Sequence, residues 1–317
     1  MKHFLFHPVV SFILKIVISV SLLAALFYYV NVDEIIRTYN NANKLLLALG
    51  FVSTMANTGL HFLRWRYLLH LVAPNITNTS VFTSLMVGVT AGFFTPGQIG
   101  EVAGRIASHP ELRKSQIIGI TLLDKLYLLV LSLITGIASL ALYAAYYSPA
   151  YWNMWYVYPV LLIIALLLFV GLFPQSMKYL LRFIPSRIRE HKFYAMVNVI
   201  ETTFHNTQGR VLFTLTTLLY TIIVLQFYIF VIAFEQISLF TSALCTLSVY
   251  FIKAVILPIS IGDLGVRESA AVLFFTQVGV SAASALSASL CMFLANIVLP
   301  SAVGALLILR LKPRWSK

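Results

Sequence analysis

The chain has 317 residues, of which 60% are hydrophobic and 10% charged, with a formal net charge of +12. A soluble chain of this size needs more polar surface than that, so lipid is read as its solvent. The excess of positive charge is assigned to loops facing anionic headgroups, and no nucleic-acid partner is expected.

Apolar runs set the elements, because a helix needs roughly 20 residues to cross about 30 Å of hydrocarbon. Alternating ten-residue barrel segments are absent. The expected fold is therefore an all-α polytopic membrane protein. Its first crossing covers about 9–30. This stretch follows Lys2 but is too long for a signal-peptide core and has no small-x-small cleavage site after it. The second crossing covers 44–63. The region 80–107 is apolar but is broken by Pro96 and Gly97 and carries charge, and it is read as a hairpin that enters the membrane and returns. Crossings at 117–147 and 157–173 follow, joined by the uncharged stretch SPAYWNMWYVYP (148–159), which suits an interfacial aromatic belt. Beyond the basic loop at 178–192 come a crossing at 211–234, a second broken hairpin at 239–280 and a last crossing at 284–309. Six crossings and two re-entrant hairpins result. Asn296 and Pro300 interrupt the last helix.

With both termini placed in the cytoplasm, segments 1–8, 64–79, 105–116, 174–210 and 310–317 hold 16 of the 22 Lys and Arg, and the outer connections hold only Arg37 and Lys44. This bias follows the positive-inside rule. Two crossings per hairpin would keep the same parity, so the charges define sidedness better than depth.

The two breaks repeat one another. PGQIGEVAGR (96–105) and PISIGDLGVR (258–267) match at the proline (Pro96, Pro258), at Gly100 and Gly262, at Glu101 and Asp263, and at Arg105 and Arg267. Each half then reads helix, helix, hairpin, helix. Three crossings separate the hairpins, so the second half, about 151–317, is inverted relative to the first, about 1–150, within one integral membrane domain spanning 1–317. Interrupted segments at matching positions of such a repeat point to a binding site near the midplane.

Proline stops the incoming arm, near Thr95 and near Leu257, and glycine permits the turn. The restarted helix offers free N–H groups and its dipole to an anion. Glu101–Arg105 and Asp263–Arg267 are spaced i,i+4, acid first, and Glu268 follows. Gly88-x-x-x-Gly92 and Gly100-x-x-x-Gly104 offer small faces for close helix contact. Arginine grips phosphate in a bidentate fork, so the candidate substrate-contacting residues are Pro96, Gly97, Gly100, Glu101, Arg105, Pro258, Gly262, Asp263, Gly265, Arg267 and Glu268. Asp124 and Lys125 in the next helix form a possible ion pair or proton-coupling group. Asp124 is within reach of meeting Arg105 or Arg267. Lys253 and Glu235 are read as interfacial.

Cys245 and Cys291 lie in apolar segments and read as small buried hydrophobes. The seven histidines contain no HExxH, and no GxxxxGK[ST] is present, so no catalytic group, metal, cofactor or ATP motor is expected.

These motifs resemble the flippase-like membrane domain found alone in bacterial and archaeal proteins and as the N-terminal part of lysylphosphatidylglycerol synthase/flippase. The resemblance rests on Pro-Gly-x-x-Gly-Glu…Arg at 96–105, the acid–base pair Asp124-Lys125, and Pro-x-x-x-Gly-x-x-Gly-x-Arg-Glu at 258–268. It covers nearly the whole chain. The family commonly carries Glu-Arg where this chain has Asp124-Lys125. The resemblance implies lipid translocation or handling at a polar site between re-entrant segments, in the cytoplasmic (inner) membrane of a prokaryote. It does not imply lysyl transfer, since the synthase domain is soluble and this chain ends at Lys317.

The resulting expectation is a flippase-like translocator, not an enzyme, moving a phosphate-bearing lipid (a phospholipid or a polyprenyl-phosphate-linked lipid) without ATP. Arg105 and Arg267 would hold the phosphate, and Glu101, Asp263, Glu268 or Asp124 would exchange protons. The alternatives are a membrane-embedded transferase or hydrolase acting on a lipid headgroup, and a non-transporting partner of a lipid-modifying enzyme.

Overall fold

The computed structural model describes residues 24–95, 98–147, 157–172, 205–256 and 264–310, together with Val17 and Ser21. Among them all regular structure is helical. Residues 24–30 are helical and lead into α1 (Val32–Asn41), α2 (Lys44–Val52) and α3 (Thr54–Val72). A helical pair follows, α4 (Asn78–Phe93) and α5 (Ile99–Ser108), then the long α6 (Lys114–Tyr147) and α7 (Val157–Leu172). The remainder is α8 (Asn206–Phe234), α9 (Leu239–Ile256), α10 (Val266–Gln277), α11 (Ala282–Phe293), a π-helical turn (Leu294–Val298) and α12 (Leu299–Arg310).

Among the described residues, five stretches are long and apolar enough to cross a membrane: Lys44–Val72, Lys114–Tyr147, Asn206–Phe234, Leu239–Ile256 and Ala282–Leu309. Two of these differ from the sequence reading. The helix expected at 44–63 runs on to Val72, so Arg64 and Arg66 belong to a helix and not to a loop. The first arm of the second broken region, Leu239–Ile256, has 18 residues. At 1.5 Å per residue that is roughly 27 Å, close to a full crossing. By contrast α5, with 10 residues, reaches only about 15 Å. Most of the crossing expected at 9–30, the basic loop at 178–192 and much of the aromatic stretch at 148–159 lie outside the described residues.

Two apolar cores hold the helices together. One gathers Trp65, Leu68, Leu69, Leu85, Ile117 and Leu123 from α3, α4 and α6. The other is built from α8 to α11 around Phe227, Phe230, Phe275, Leu286 and Met292, with the rings of Phe227 and Phe275 stacked, their centroids 5.4 Å apart. Cys245 and Cys291 are buried free thiols in this second core, as small hydrophobes are.

The last membrane helix changes register at Asn296. Pro300 has no N–H to return to the Asn296 carbonyl, and the wider π turn accommodates that loss. Asn296 there joins a buried amide network. Its Nδ2 donates to Gln226 Oε1 at 2.8 Å, Asn57 Nδ2 donates to Asn296 Oδ1 at 3.0 Å, and Gln226 Nε2 donates to the Gly50 carbonyl and to Thr54 Oγ1, both at 3.0 Å. The network ties α2 and α3 to α8 and the π turn. Gln226→Leu strands several of these polar groups at once, and is expected to lower stability by about 1–3 kcal/mol. Denaturant unfolding of the detergent-solubilised chain measures this, and no change would show that the network is dispensable.

Candidate functional site

The first hairpin is a close antiparallel contact of α4 and α5, permitted by glycine. α4 ends at Phe93, as the proline at 96 requires, and α5 restarts at Ile99. A Cβ on Gly104 would lie 2.8 Å from the Val87 carbonyl oxygen and 3.1 Å from Gly88 Cα, so the two small-residue faces do meet. Thr95 ties the turn: its Oγ1 donates to the Ala91 carbonyl at 2.9 Å and accepts from Gly100 N–H at 2.7 Å. Gln98 takes a left-handed conformation, φ 57° and ψ 25°, which is strained for a side chain of its kind. Its Oε1 accepts from Lys125 Nζ at 2.9 Å. Pro96 and Gly97 lie outside the described residues.

This hairpin delivers Glu101 and Arg105 to a cluster shared with α3 and α6. Arg105 Nη2 lies 2.6 Å from Glu101 Oε1, the i,i+4 pair expected from sequence, and 3.2 Å from Asp124 Oδ2. Asp124 Oδ1 is 2.8 Å from Arg64 Nη2, which also donates to the Asp124 carbonyl at 2.9 Å. Lys125 pairs with the other oxygen of Glu101. Adjacent on one helix, Asp124 and Lys125 therefore serve different partners, as their angular separation requires. The Arg105 guanidinium lies over the Trp65 ring at 3.9 Å, and Trp65 Nε1 is anchored by donating to Ser84 Oγ at 2.8 Å. Arg64 and Arg105 are 0% and 1% exposed, and the two carboxylate residues no more than 5%. Lys125 is the open edge, its side chain 38% exposed.

Arg64 was missed from sequence because it was counted in a cytoplasmic loop. A signal was present: apolar residues continue to Val72, and the next helix-breaking pair is Pro74-Asn75. Moving Arg64 and Arg105 from loop to buried cluster leaves 14 of the 16 inward Lys and Arg in the topology count.

The second motif is built differently. α10 starts at Val266, after Gly265 at φ 89° and ψ −44°, a conformation that glycine tolerates. Asp263, the expected i,i+4 partner of Arg267, lies outside the described residues with Pro258 and Gly262. Arg267 Nη2 lies 2.5 Å from Glu268 Oε1, and its Nε donates to Ser289 Oγ at 3.2 Å. Glu268 Oε2 accepts from Gly265 N–H at 2.8 Å. At both restarts an acid of the chain occupies the positive helix end, Glu101 in the first turn of α5 and Glu268 in that of α10.

The aromatic rings of Phe93 and Phe293 lie 6.2 Å apart, and Arg267 sits 5.6 Å from the centre of Phe293. These rings join the tip of the first hairpin to the second pair. Of the remaining charges, Lys253 lies 5.3 Å from the centre of the Tyr250 ring. Glu235 accepts from the Ser281 N–H and hydroxyl, both at 2.9 Å, at an exposed position.

Apolar helices of membrane-crossing length, with a five-charge cluster between three helices that is buried except at Lys125, define a polytopic integral membrane protein carrying an internal polar site. The chain belongs to the lysylphosphatidylglycerol synthase TM region family, whose family model matches residues 12–304. No curated protein and no solved structure matches it.

Proposed function

We propose that the protein is a flippase-like translocator of a phosphate-bearing lipid, working without ATP, in the inner membrane of a prokaryote with both termini cytoplasmic. The observation that carries this reading is the cluster of Arg64, Glu101, Arg105, Asp124 and Lys125. Charges in an apolar helix bundle are expensive, and a hydrophobic set of the same volume holds helices at least as well. A role in passing a charged group accounts for that expense. Family membership supports the same reading, as do the paired helix breaks, each restarting beside an Arg–carboxylate pair.

In this proposal the two halves form an inverted repeat of six crossings and two re-entrant hairpins, and rock about the cluster. Arg105 and Arg267 engage the phosphate in the two halves, and the Phe93–Phe293 contact lies between them. Purified protein in vesicles loaded with fluorescent phospholipid is expected to accelerate its movement between leaflets. Arg105→Ala combined with Arg267→Ala is expected to abolish this. Undiminished flipping by the double variant would refute the site. Chemically altered lipid on thin-layer chromatography would indicate a headgroup enzyme instead, and lack of flipping together with a copurifying enzyme would indicate an accessory subunit.

A further inference from the structure

The first cluster does not balance its own charge. Arg64, Arg105 and Lys125 stand against Glu101 and Asp124, three cations to two anions, a sum of +1.

Hydrogen bonding in the cluster is incomplete chiefly on the donor side; on the acceptor side Asp124 Oδ1 is paired with Arg64 Nη2 by charge at 2.8 Å but accepts no hydrogen bond. Nε and Nη1 of Arg64, and Nε and Nη1 of Arg105, are buried with no acceptor among the described residues. Four guanidinium nitrogens thus lack acceptors in a site with one surplus positive charge. Buried donors without acceptors cost about 1–3 kcal/mol each, and an uncompensated charge costs more. Both deficits are met by a single ligand that has one negative charge and two oxygens rich in lone pairs.

We propose that Arg64, Arg105 and Lys125, offset by Glu101 and Asp124, form a receptor selective for a lipid phosphodiester of charge −1. This rests on the lipid-handling reading of the same site. The two arginines donate to the non-bridging oxygens, and half-exposed Lys125 marks the side of entry. A phosphomonoester, at about −1.5 to −2 near neutral pH, overfills the site. An uncharged diacylglycerol leaves it positive. The selectivity resides in the number of carboxylates, so it is changed by altering that number.

The test is isothermal titration of the full-length chain in detergent at pH 7.5. The probes are dioctanoyl phosphatidylglycerol, a short-chain polyprenyl phosphoryl hexose, dioctanoyl phosphatidate and dioctanoylglycerol. The wild type is expected to bind at least one phosphodiester about tenfold tighter than phosphatidate. The tighter phosphodiester identifies a diacyl or an isoprenoid lipid. Glu101→Gln raises the sum to +2 and is expected to reverse the preference toward phosphatidate. Lys125→Met lowers the sum to zero and is expected to weaken all anionic probes about tenfold. Both variants alter partly open or shape-conserving positions, and size-exclusion chromatography confirms their folding. The same phosphodiester-to-phosphatidate ratio in wild type and Glu101→Gln would overturn the proposal. Charge-ranked binding without flipping in vesicles would refute translocation alone, and flipping without charge-ranked binding would refute this inference alone.

Discussion

Replacing Asp124 by alanine is expected to destabilise the protein by about 3–5 kcal/mol, the usual consequence of removing one partner from a buried ion pair. Asp124 is the carboxylate shared by both buried arginines, with Arg64 Nη2 at 2.8 Å and Arg105 Nη2 at 3.2 Å. Arg105 retains Glu101, whereas Arg64 retains only the Asp124 main-chain carbonyl among the bonds described. Lys125→Ala is expected to cost less, about 1 kcal/mol, because a half-exposed ammonium is screened and Glu101 keeps Arg105. The double substitution Arg64→Leu with Asp124→Leu removes both charges together, and should recover much of the loss, since apolar groups of similar volume replace buried pairs well. Unfolding of each variant in detergent, arranged as a double-mutant cycle, gives the coupling. An Asp124→Ala variant as stable as the wild type would show that the cluster does not hold α3 to α6.

Gly100→Ala is expected to open the first hairpin, at a cost of about 1–3 kcal/mol or more. The added Cβ would lie 2.2 Å from the Ala91 carbonyl oxygen and 2.5 Å from Thr95 Oγ1. The first of these is backbone, so the overlap is relieved only by moving α5 away from α4. That movement also carries Glu101 away from Lys125 and Arg105 away from Asp124, so lipid binding should fall with stability. Gly59→Ala is the control: no atom lies within 4 Å of its added Cβ, and alanine in a helix interior gains about 0.5–1 kcal/mol over glycine. Equal behaviour of the two variants in thermal unfolding would show that the α4–α5 approach is not as close as described.

The composition and apolar runs determined the class of protein. Runs of this length satisfy their backbone groups internally only as helices in lipid, whatever their neighbours. The helix end at Phe93 was legible for an equally local reason, since proline denies the preceding turn. So was the Glu101–Arg105 pair, because four residues make just over one helical turn. What lay beyond local geometry was partnership. Asp124 takes Arg64, which lies 60 residues away, and the two halves of a motif that match in letters differ in form. α5 begins three residues after its proline, whereas α10 begins eight after. That difference places Arg105 in the last turn of one helix and Arg267 in the first turn of the other. Only packing decided it, because a helix can restart at any of several residues after a break, and the contacts its first turn makes select among them.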